Sequence, residues 1–413
     1  MGLDPPSLFS VQASLGSALE LIFFKRASVK FSGLKDSASV AVIGGGIVGA
    51  SLGYNLAKAG VGHVVILDKS KAGAGSTSAS LGGFRYQFSS ELSIKLSQRS
   101  VSIIEMFEEL TGYDPLVRRD GYLFIASTEA SFSQLKKNRD LQRTLGVPVE
   151  LLSREELQSR YGFYKFDEFL GGTFCKDDGH ASTMAVFQGY VSRAKQFGVE
   201  LYENTAVMAA ERSHDRFLLK TSKGQILADS VVIAAGAYSG LVGKLFNVDI
   251  PIKPYPRKIL ITNSFSDGIP PQIPLMVDVD STFAFGREGK GLIFANNQET
   301  ASSFELTFPP DYDVDVIRTA FRRVPATERC SLSSPDVGLY ELTPDSNPVV
   351  SEIPNVKGLY CCSGFAGHGF MHAPAIGELM AELITKRKTS IDISSYNIDR
   401  FEKGPTDKEG LII

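Results

Sequence analysis

Three glycines, Gly44, Gly46 and Gly49, follow an apolar run with the G-x-G-x-x-G spacing that is typical of a dinucleotide-binding turn. In such a turn the first glycine permits a tight reversal, the second lets a pyrophosphate approach the backbone, and the third lets the next helix pack on the strand. The N-terminus of that helix presents free N–H groups to the phosphates. Asp68 ends a second apolar run 24 residues beyond Gly44, where a carboxylate accepts hydrogen bonds from a ribose. The pattern predicts that the chain binds a dinucleotide.

A stretch of small residues, 72–85, follows this acid. Because it carries little side-chain bulk, it is suited to lie against a flat cofactor. A flexible linker is the alternative, but a linker does not normally end in Gly-Gly-Phe-Arg and run into a helix. The residues of this stretch that we expect to contact the cofactor are Ser76, Thr77, Ser78 and Gly82.

The bulk composition is that of a globular protein of about two domains. The chain has 413 residues, of which 43% are hydrophobic. A formal net charge of −3 gives no electrostatic case for a nucleic-acid partner. The four cysteines form no C-x-x-C pair, and the adjacent Cys361 and Cys362 cannot make an ordinary disulfide with each other. We therefore expect a reducing compartment, the cytoplasm, and we expect no metal site.

The first 36 residues are interpreted as an N-terminal extension. An apolar stretch, 15–24, is followed by Lys25, Arg26 and Lys30. A secretory signal places its charges before the apolar run, so this order argues against secretion. Four interpretations stay open: a short amphipathic helix docked on the protein, a helix lying on a membrane surface, a disordered segment, and a misassigned start.

Apolar periodicity separates helices from strands along the rest of the chain. The predicted helices cover 89–111, 129–145 and 184–197, and a last one begins near 374. The predicted strands cover 121–126, 200–202 and 229–238, of which the last is predicted to be buried. Between 248 and 336 a separate antiparallel sheet is predicted, with strands over 258–262, 282–286, 291–295 and 304–308.

Several short segments occur in the order found in the FAD-dependent amine oxidase family, which includes D-amino acid oxidase, glycine oxidase and sarcosine oxidase. Within that family the chain most resembles the branch of sarcosine oxidase and proline dehydrogenase β-subunits. The resemblance covers residues 38–388, and it is specific for the family but not for a substrate. The segments are VIGGGIVG (42–49), GGFRYQF (82–88), DDGH (177–180), VIAAGA (232–237), TPD (343–345) and GFAGHGF (364–370).

The resemblance implies an α/β (α+β) fold in two parts. A Rossmann-type FAD-binding domain is assembled from separate segments, and a second, mostly antiparallel sheet forms the substrate domain over the flavin. The active site lies between the two. The predicted division is an N-terminal extension (1–36), an FAD-binding domain (37–112, 172–247 and 337–390), a substrate domain (113–171 and 248–336) and a C-terminal tail (391–413).

The resemblance also implies which residues bind FAD. The glycine turn holds the pyrophosphate, Asp68 the ribose, and the backbone of Val207 the adenine. The loop 364–369 lies along the isoalloxazine edge, where its N–H groups and the following helix stabilise negative charge on the reduced flavin. The expected FAD-binding residues are Gly44, Gly46, Ile47, Val48, Gly49, Asp68, Lys69, Ser76, Thr77, Ser78, Gly82, Val207, Gly236, Gly364, Gly367, His368, Gly369 and Phe370.

Five residues are candidates for the substrate site. Arg85 falls where the sarcosine oxidase branch holds the substrate carboxylate, and a guanidinium can grip a carboxylate with two parallel hydrogen bonds. A structural ion pair is the alternative for Arg85. His368 and His372 are candidates to polarise the flavin or position the substrate, although buried histidines are often structural. Tyr255 and Arg287 are candidate residues of the substrate pocket.

Three positions depart from relatives in the family. Gly338 replaces the cysteine of the covalent-flavin branch, so we expect non-covalent FAD. Tyr340 replaces an arginine of glycine oxidases, which weakens a glycine oxidase assignment. Met371 replaces a lysine of sarcosine oxidases, which removes one cationic grip on the carboxylate. Proline or an N-alkyl amino acid is then as well suited as sarcosine.

The function implied is oxidation of the C–N bond of an amino acid or secondary amine, by hydride transfer to flavin N5 followed by imine hydrolysis. Two alternatives remain: a hydroxy-acid dehydrogenase with the same arginine, and a flavin-binding assembly protein without turnover. The partners expected are the small substrate and an electron acceptor, which is oxygen, a quinone, a carrier flavoprotein or a partner subunit. Homo- and hetero-oligomers both stay open.

Overall fold

The computed structural model describes residues 33–296, 300–404 and 410, so the segment 15–30 lies outside the described residues. The strands are β1 (Ser37–Ile43), β2 (Val64–Leu67), β3 (Gly83–Phe84), β4 (Tyr122–Ala126), β5 (Glu150–Ser153), β6 (Gly171–Cys175), β7 (Gly179–His180), β8 (Glu200–Tyr202), β9 (Val207–Ser213), β10 (Arg216–Thr221), β11 (Gly224–Ile233), β12 (Lys253–Ile261), β13 (Leu275–Asp278), β14 (Ala284–Glu288), β15 (Gly291–Ala295), β16 (Asp336–Leu342), β17 (Val349–Glu352) and β18 (Leu359–Ser363). The α-helices are α1 (Ile47–Lys58), α2 (Glu91–Glu105), α3 (Phe107–Thr111), α4 (Glu129–Thr144), α5 (Arg154–Arg160), α6 (Thr183–Gln196), α7 (Ser239–Lys244), α8 (Tyr312–Arg323) and α9 (Gly369–Lys386).

The first sheet has the strand order β17-β18-β11-β1-β2-β8, and β10 and β9 extend it from β11 as a hairpin. The strands from β18 to β8 run parallel. All four residues of β2 are buried, as is typical of a parallel strand covered on both faces. This is the predicted Rossmann-type sheet. The strand predicted over 229–238 is displaced, because it starts at Gly224 and gives way to a 3₁₀ turn, Gly236–Tyr238.

Two helices bring their N-termini to the same edge of the first sheet. Helix α1 follows β1 directly, and α9 follows β18 after a glycine-rich loop. The two helices touch closely, because a Cβ atom built on Gly377 of α9 would overlap the side chain of Ser51 on α1. This contact fixes the spacing of the two helix N-termini.

The second sheet has the order β16-β12-β15-β14-β13-β4-β6-β5. Only the β13–β4 pair is parallel, so the predicted, mostly antiparallel sheet is confirmed. The division of the chain into domains stays a prediction. At two of its boundaries, β6 and β16 pair with the second sheet, although most of each was predicted to belong to the FAD-binding domain.

Three local predictions are wrong. The last helix, α9, begins at Gly369 and not near 374, so Pro374 lies inside the helix. Residues 304–308 form no strand, because their apolar side chains serve separate aromatic contacts: Phe304 stacks on Tyr238 and Phe308 packs on Tyr312. The helix predicted over 89–111 is interrupted at Met106, which separates α2 from α3.

A buried ion pair fastens the end of the described chain to the Thr-Pro-Asp turn. The Arg400 guanidinium donates to both carboxylate oxygens of Asp345, at 2.7 Å and 3.0 Å. The two side chains are only 10% and 2% exposed. Removing one partner leaves an uncompensated buried charge, which is costly.

We expect Arg400→Met to lower the free energy of unfolding by about 3 to 5 kcal/mol, because the Asp345 carboxylate stays buried without its partner. The measurement is the urea midpoint and slope followed by circular dichroism. Lys403→Met removes the exposed pair with Asp399 and serves as the control, with an expected change below about 1 kcal/mol. Equal losses in the two variants would contradict the role of burial.

Candidate active site

A cavity of about 730 Å³ lies where the two sheets meet. Its wall is formed by the turn between β1 and α1, the small-residue stretch 72–85, the start of α9, and strands β12 and β16. One group of wall residues is made of glycines, hydroxyls and a carboxylate, and another contains arginines and tyrosines. The cavity therefore joins a surface suited to a dinucleotide with one suited to a small charged ligand.

The glycine turn is required by backbone contacts. Gly44 has φ +117°, and a Cβ atom on it would overlap the carbonyl oxygen of Ala234. A Cβ atom on Gly49 would overlap the carbonyl oxygen of Gly44 itself. At Gly46 a Cβ atom would point toward Thr77, 3.2 Å from its Oγ1. The first and third glycines therefore close the turn, and the second keeps the cavity open beside it.

Hydrogen bonds hold the rest of the dinucleotide surface in place. The Ile47 N–H at the start of α1 donates to Thr77 Oγ1 at 3.0 Å, which draws the small-residue stretch onto the turn. Asp68 accepts from the N–H of Gly45 at 2.7 Å and from that of Ser70 at 2.8 Å. A glycine cradle, a helix N-terminus and a fixed carboxylate fit the pyrophosphate and ribose of a dinucleotide.

Most of the residues expected to bind FAD lie on the cavity wall. Three do not, and they shape the backbone instead: Gly49 as described above, Gly82 with φ +72° against Ala181, and Gly364 with φ +92° against Thr343. The predicted residues on the wall are Gly44, Gly46, Ile47, Val48, Asp68, Lys69, Ser76, Thr77, Ser78, Val207, Gly236, Gly367, His368, Gly369 and Phe370.

Arg85 lies on the cavity wall, and its side chain is packed among aromatic rings. The residue as a whole is 0% exposed, and its guanidinium carbon sits 4.1 Å from the ring centroid of Phe88. The guanidinium donates to the carbonyl oxygen of Gln87 and, at 2.9 Å, to Nε2 of His368. Arg85 thus bridges the small-residue stretch and the glycine-rich loop before α9.

His368 is neutral in this arrangement. Burial, together with the positive charges of Arg85 and of a protonated His372, holds the pKa of His368 well below its usual range. Because a guanidinium only donates, His368 must accept through Nε2 and carry its proton on Nδ1. The residue is also the N-cap of α9, so it points into the cavity and not along the helix.

Asp178 is a buried acid that holds the chain next to Arg85 in place. Its carboxylate accepts from the Tyr86 N–H at 2.6 Å and from Gln87 Nε2 at 2.9 Å. Burial raises the pKa of Asp178 to about 7, and these hydrogen bonds and the Arg85 charge oppose the rise. The two residues that follow Arg85 are therefore fixed by one buried acid.

The wall residues that the sequence analysis did not name as site residues include Tyr122, Arg257, Tyr340 and Glu341. Tyr340 packs on the glycine-rich loop, since a Cβ atom on Gly367 would lie 2.5 Å from its Cζ. The only sequence signal was the departure from the family at Tyr340. The other three come from strands β4, β12 and β16, whose meeting at the cavity no local pattern indicates.

Glu341 is a half-buried carboxyl that joins the second sheet to the glycine-rich loop. It accepts from the Phe365 N–H at 3.0 Å, and its carbonyl accepts from Ala366 at 3.2 Å. Its Oε2 would lie 2.9 Å from a Cβ atom on Gly236, so that glycine leaves room for the acid. Burial raises the pKa of Glu341 to about 7.

Three predicted substrate-site residues do not reach the cavity wall. His372 lies one turn inside α9 and faces α2, where its Nε2 is 3.3 Å from Ser97 Oγ. Arg287 points away and donates to the carbonyl oxygens of Phe265, Ile269 and Pro270. Tyr255 lies on β12 two residues before Arg257 and is not part of the cavity wall. The structure gives these three no contact with the cavity.

Within the described ranges, no group of three or more His, Cys, Asp or Glu side chains is placed to hold a metal ion. None of the helices in the same part of the chain combines the length and the apolar character needed to span a bilayer.

Comparison with known proteins places the chain in a family. The model of the FAD dependent oxidoreductase (DAO) family matches residues 39–383. The chain belongs to this family. Membership confirms the predicted fold, the FAD cofactor and the oxidoreductase class, and the glycine turn, Asp68 and the start of α9 are the described residues that would hold the cofactor.

The relatives of this DAO-family chain are amine and amino-acid enzymes. The L-proline dehydrogenase from P. horikoshii is 31% identical, has a TM-score of 0.84, and is matched over 90% of this chain and 99% of that one. The mitochondrial sarcosine dehydrogenase of Mus musculus is 28% identical over 91% of this chain and 42% of the relative. The glycine oxidase of Geobacillus kaustophilus is 24% identical over 87% of this chain and 96% of the relative. The chain spans 42 to 46% of the sarcosine and dimethylglycine dehydrogenases that it matches.

We expect Gly46→Val to abolish FAD binding while the fold is kept, because the branched side chain enters the cavity beside Thr77. The measurement is the flavin absorbance of the purified protein per chain, with circular dichroism to check folding. Gly62→Val, at a position with open space around it, is the matched control and should retain its flavin. A fully flavin-loaded Gly46→Val protein would refute the assignment of the turn.

Acid should destabilise the protein through its buried histidines. Burial lowers the pKa of His372 to about 3 in the folded protein, against 6.5 ordinarily. Between these values the unfolded chain binds the extra proton, so stability falls as the pH falls, by about 1.4 kcal/mol per pH unit below 6.5.

Between about pH 7.5 and about pH 5.5, we expect the free energy of unfolding to fall by roughly 1.4 kcal/mol less in His372→Gln than in the wild type. The measurement is urea unfolding at the two pH values. His214→Asn changes an exposed histidine and should match the wild-type pH dependence. An unchanged acid sensitivity in His372→Gln would mean that the buried imidazole does not contribute.

Proposed function

We propose that this chain oxidises the C–N bond of a small amino acid or secondary amine of the proline, sarcosine or N-alkyl amino acid type. The observation that carries the proposal is the Arg85 guanidinium on the wall of the FAD cavity, held by His368 of the glycine-rich loop. The likeness to L-proline dehydrogenase at 31% identity supports the same class of substrate. Bound FAD supplies the hydride acceptor, and the resulting imine is hydrolysed by water.

The roles of the chain's own residues follow from their surroundings. Arg85 holds the substrate carboxylate, which fixes the carbon next to the amine. His368 accepts a hydrogen bond from Arg85 and so keeps the guanidinium turned toward the cavity. Apolar side chains of Ile259, Leu275 and Ile293 line the same cavity and favour an uncharged amine over an ammonium ion.

The FAD is proposed to be non-covalent. Gly338 lies on the cavity wall without a side chain that could bond to the flavin, and a Cβ atom on it would lie 3.0 Å from the Cβ atom of Ala79. A reducing compartment, the cytoplasm, is proposed because the four cysteines are all unpaired, three of them buried. Oxygen, a quinone, a carrier flavoprotein and a partner subunit are the candidate electron acceptors, and the oligomeric state is open.

Anaerobic addition of the true substrate should bleach the visible flavin band. We expect bleaching by L-proline, sarcosine or another N-alkyl amino acid, and none by 2-hydroxy acids. Bleaching by a hydroxy acid alone would move the enzyme to that substrate class. A flavin that no compound bleaches would support a role without turnover.

The Arg85→Lys variant tests the carboxylate grip within the same assay. Lysine keeps the charge but loses the planar fork, so we expect KM to rise about tenfold to a hundredfold with FAD retained. Arg318→Lys, on the exposed face of α8 with its side chain 74% exposed, is the control and should leave KM unchanged. A wild-type KM in Arg85→Lys would remove Arg85 from the site.

A further inference from the structure

Arg257 is a second guanidinium on the cavity wall, and none of the described carboxylates pairs with it. It lies on β12, half-buried, and its Nη1 donates to the Pro256 carbonyl at 2.8 Å and to Thr300 Oγ1 at 3.1 Å. Its Nε atom is buried and makes no hydrogen bond within the part of the chain that the structure describes. In those same ranges no carboxylate lies within ion-pair distance of it.

Two buried arginines of this fold, Arg323 and Arg400, are neutralised by acids. Arg323 pairs with Glu168 and Asp278, and Arg400 pairs with Asp345. Burial lowers the pKa of Arg257, and only tyrosines oppose that shift. A half-buried cation without a counter-ion is costly unless a ligand brings the negative charge. Its position on the cavity wall makes a bound anion the natural counter-ion.

A short series of contacts connects Arg257 to Arg85. The Arg257 guanidinium carbon lies 5.2 Å from the ring centroid of Tyr340. Tyr340 packs on Gly367, and the neighbouring His368 is hydrogen-bonded to Arg85 at 2.9 Å. The positive charges of both arginines also act on the Tyr340 hydroxyl, against the rise of its pKa on burial. The two guanidiniums therefore border the same small part of the cavity.

We propose that Arg257 is a specificity-determining residue that holds the substrate carboxylate together with Arg85. The inference rests on the proposed function. Met371 on α9 carries no charge, and Arg257 on β12 would supply the second cation for the carboxylate. One carboxylate has oxygens enough to accept from two guanidiniums. A carboxylate bound between them would pair with both guanidiniums. At Arg257 none of the described acids already occupies that place.

The first test measures binding without turnover. Cyclopentanecarboxylate has a carboxylate and no amine, so it should raise the Tm of the FAD-loaded wild-type protein by mass action. We expect Arg257→Met to lose most of this shift, Arg257→Lys to recover part of it, and Arg318→Met to keep it. FAD content and the Tm without ligand show whether each variant is folded. A wild-type shift in Arg257→Met would overturn the proposal.

The second test separates the carboxylate from the rest of the substrate. For the amino acid that bleaches the flavin, Arg257→Met should raise KM about tenfold to a hundredfold with little change in kcat. Cyclopentylamine or pyrrolidine, which lack a carboxylate, should react equally poorly with wild type and variant. Because both arginines bind one carboxylate, the double variant Arg85→Lys/Arg257→Met should lose less binding free energy than the sum of the losses in the two single variants.

The two proposals fail in different ways. If Arg85→Lys loses carboxylate binding and Arg257→Met does not, the amine-oxidising function stands and Arg257 has no part in it. If no amine bleaches the flavin, the proposed function fails, while the Tm shifts still report whether Arg257 binds a carboxylate. Additive effects in the double variant would place Arg257 on a different part of the ligand and overturn the shared grip.

Discussion

Direct backbone contact between neighbouring parallel strands and the first helix is the constraint on which the site depends. The end of β11 at Ala234 touches Gly44, and Gly44 in turn touches Gly49 on α1, with no space for a side chain at either glycine. Close contact lets the strand ends converge at one point, and it turns the α1 N-terminus toward the cavity. The positions of Asp68 and of the small-residue stretch follow from that convergence.

Around this frame the polar groups of the cavity form a network that is mostly buried. Asp178 fixes the backbone and side chain next to Arg85, and Arg85 fixes His368. Such a network holds its members in place because hydrogen bonds between buried groups are costly to break. The network also keeps the His368 imidazole neutral beside the Arg85 cation. A carboxylate beside an exposed histidine would instead favour the protonated imidazole.

The parts of the site that local sequence predicts well are those whose function needs a particular backbone. The G-x-G-x-x-G turn, Asp68 and the loop containing Gly367 are of this kind, because glycines and strand ends are visible in a few consecutive letters. His372 shows the limit, since helical phase turns it toward Ser97 although it lies only four residues from His368.

The residues that sequence reasoning missed depend on pairing over long distances. Arg257 and Tyr340 are brought together because β12 and β16 pair antiparallel, 83 positions apart in the chain, next to the start of α9. Neither residue stands in a motif, and each follows an ordinary strand pattern. The role proposed for Arg257 rests on the lack of a paired carboxylate among the described residues, together with the contact of Tyr340 with Gly367.

Glu341 has a consequence for how a ligand enters. The acid belongs to a strand of the second sheet, yet it receives the N–H of Phe365 from the loop that ends a strand of the first. A hinge motion that opened the cleft by swinging one sheet away from the other would have to break this half-buried hydrogen bond and the contact of Tyr340 with Gly367. Separating the two sheets therefore carries a free-energy cost that movements of side chains and short loops at the rim of the cavity do not carry.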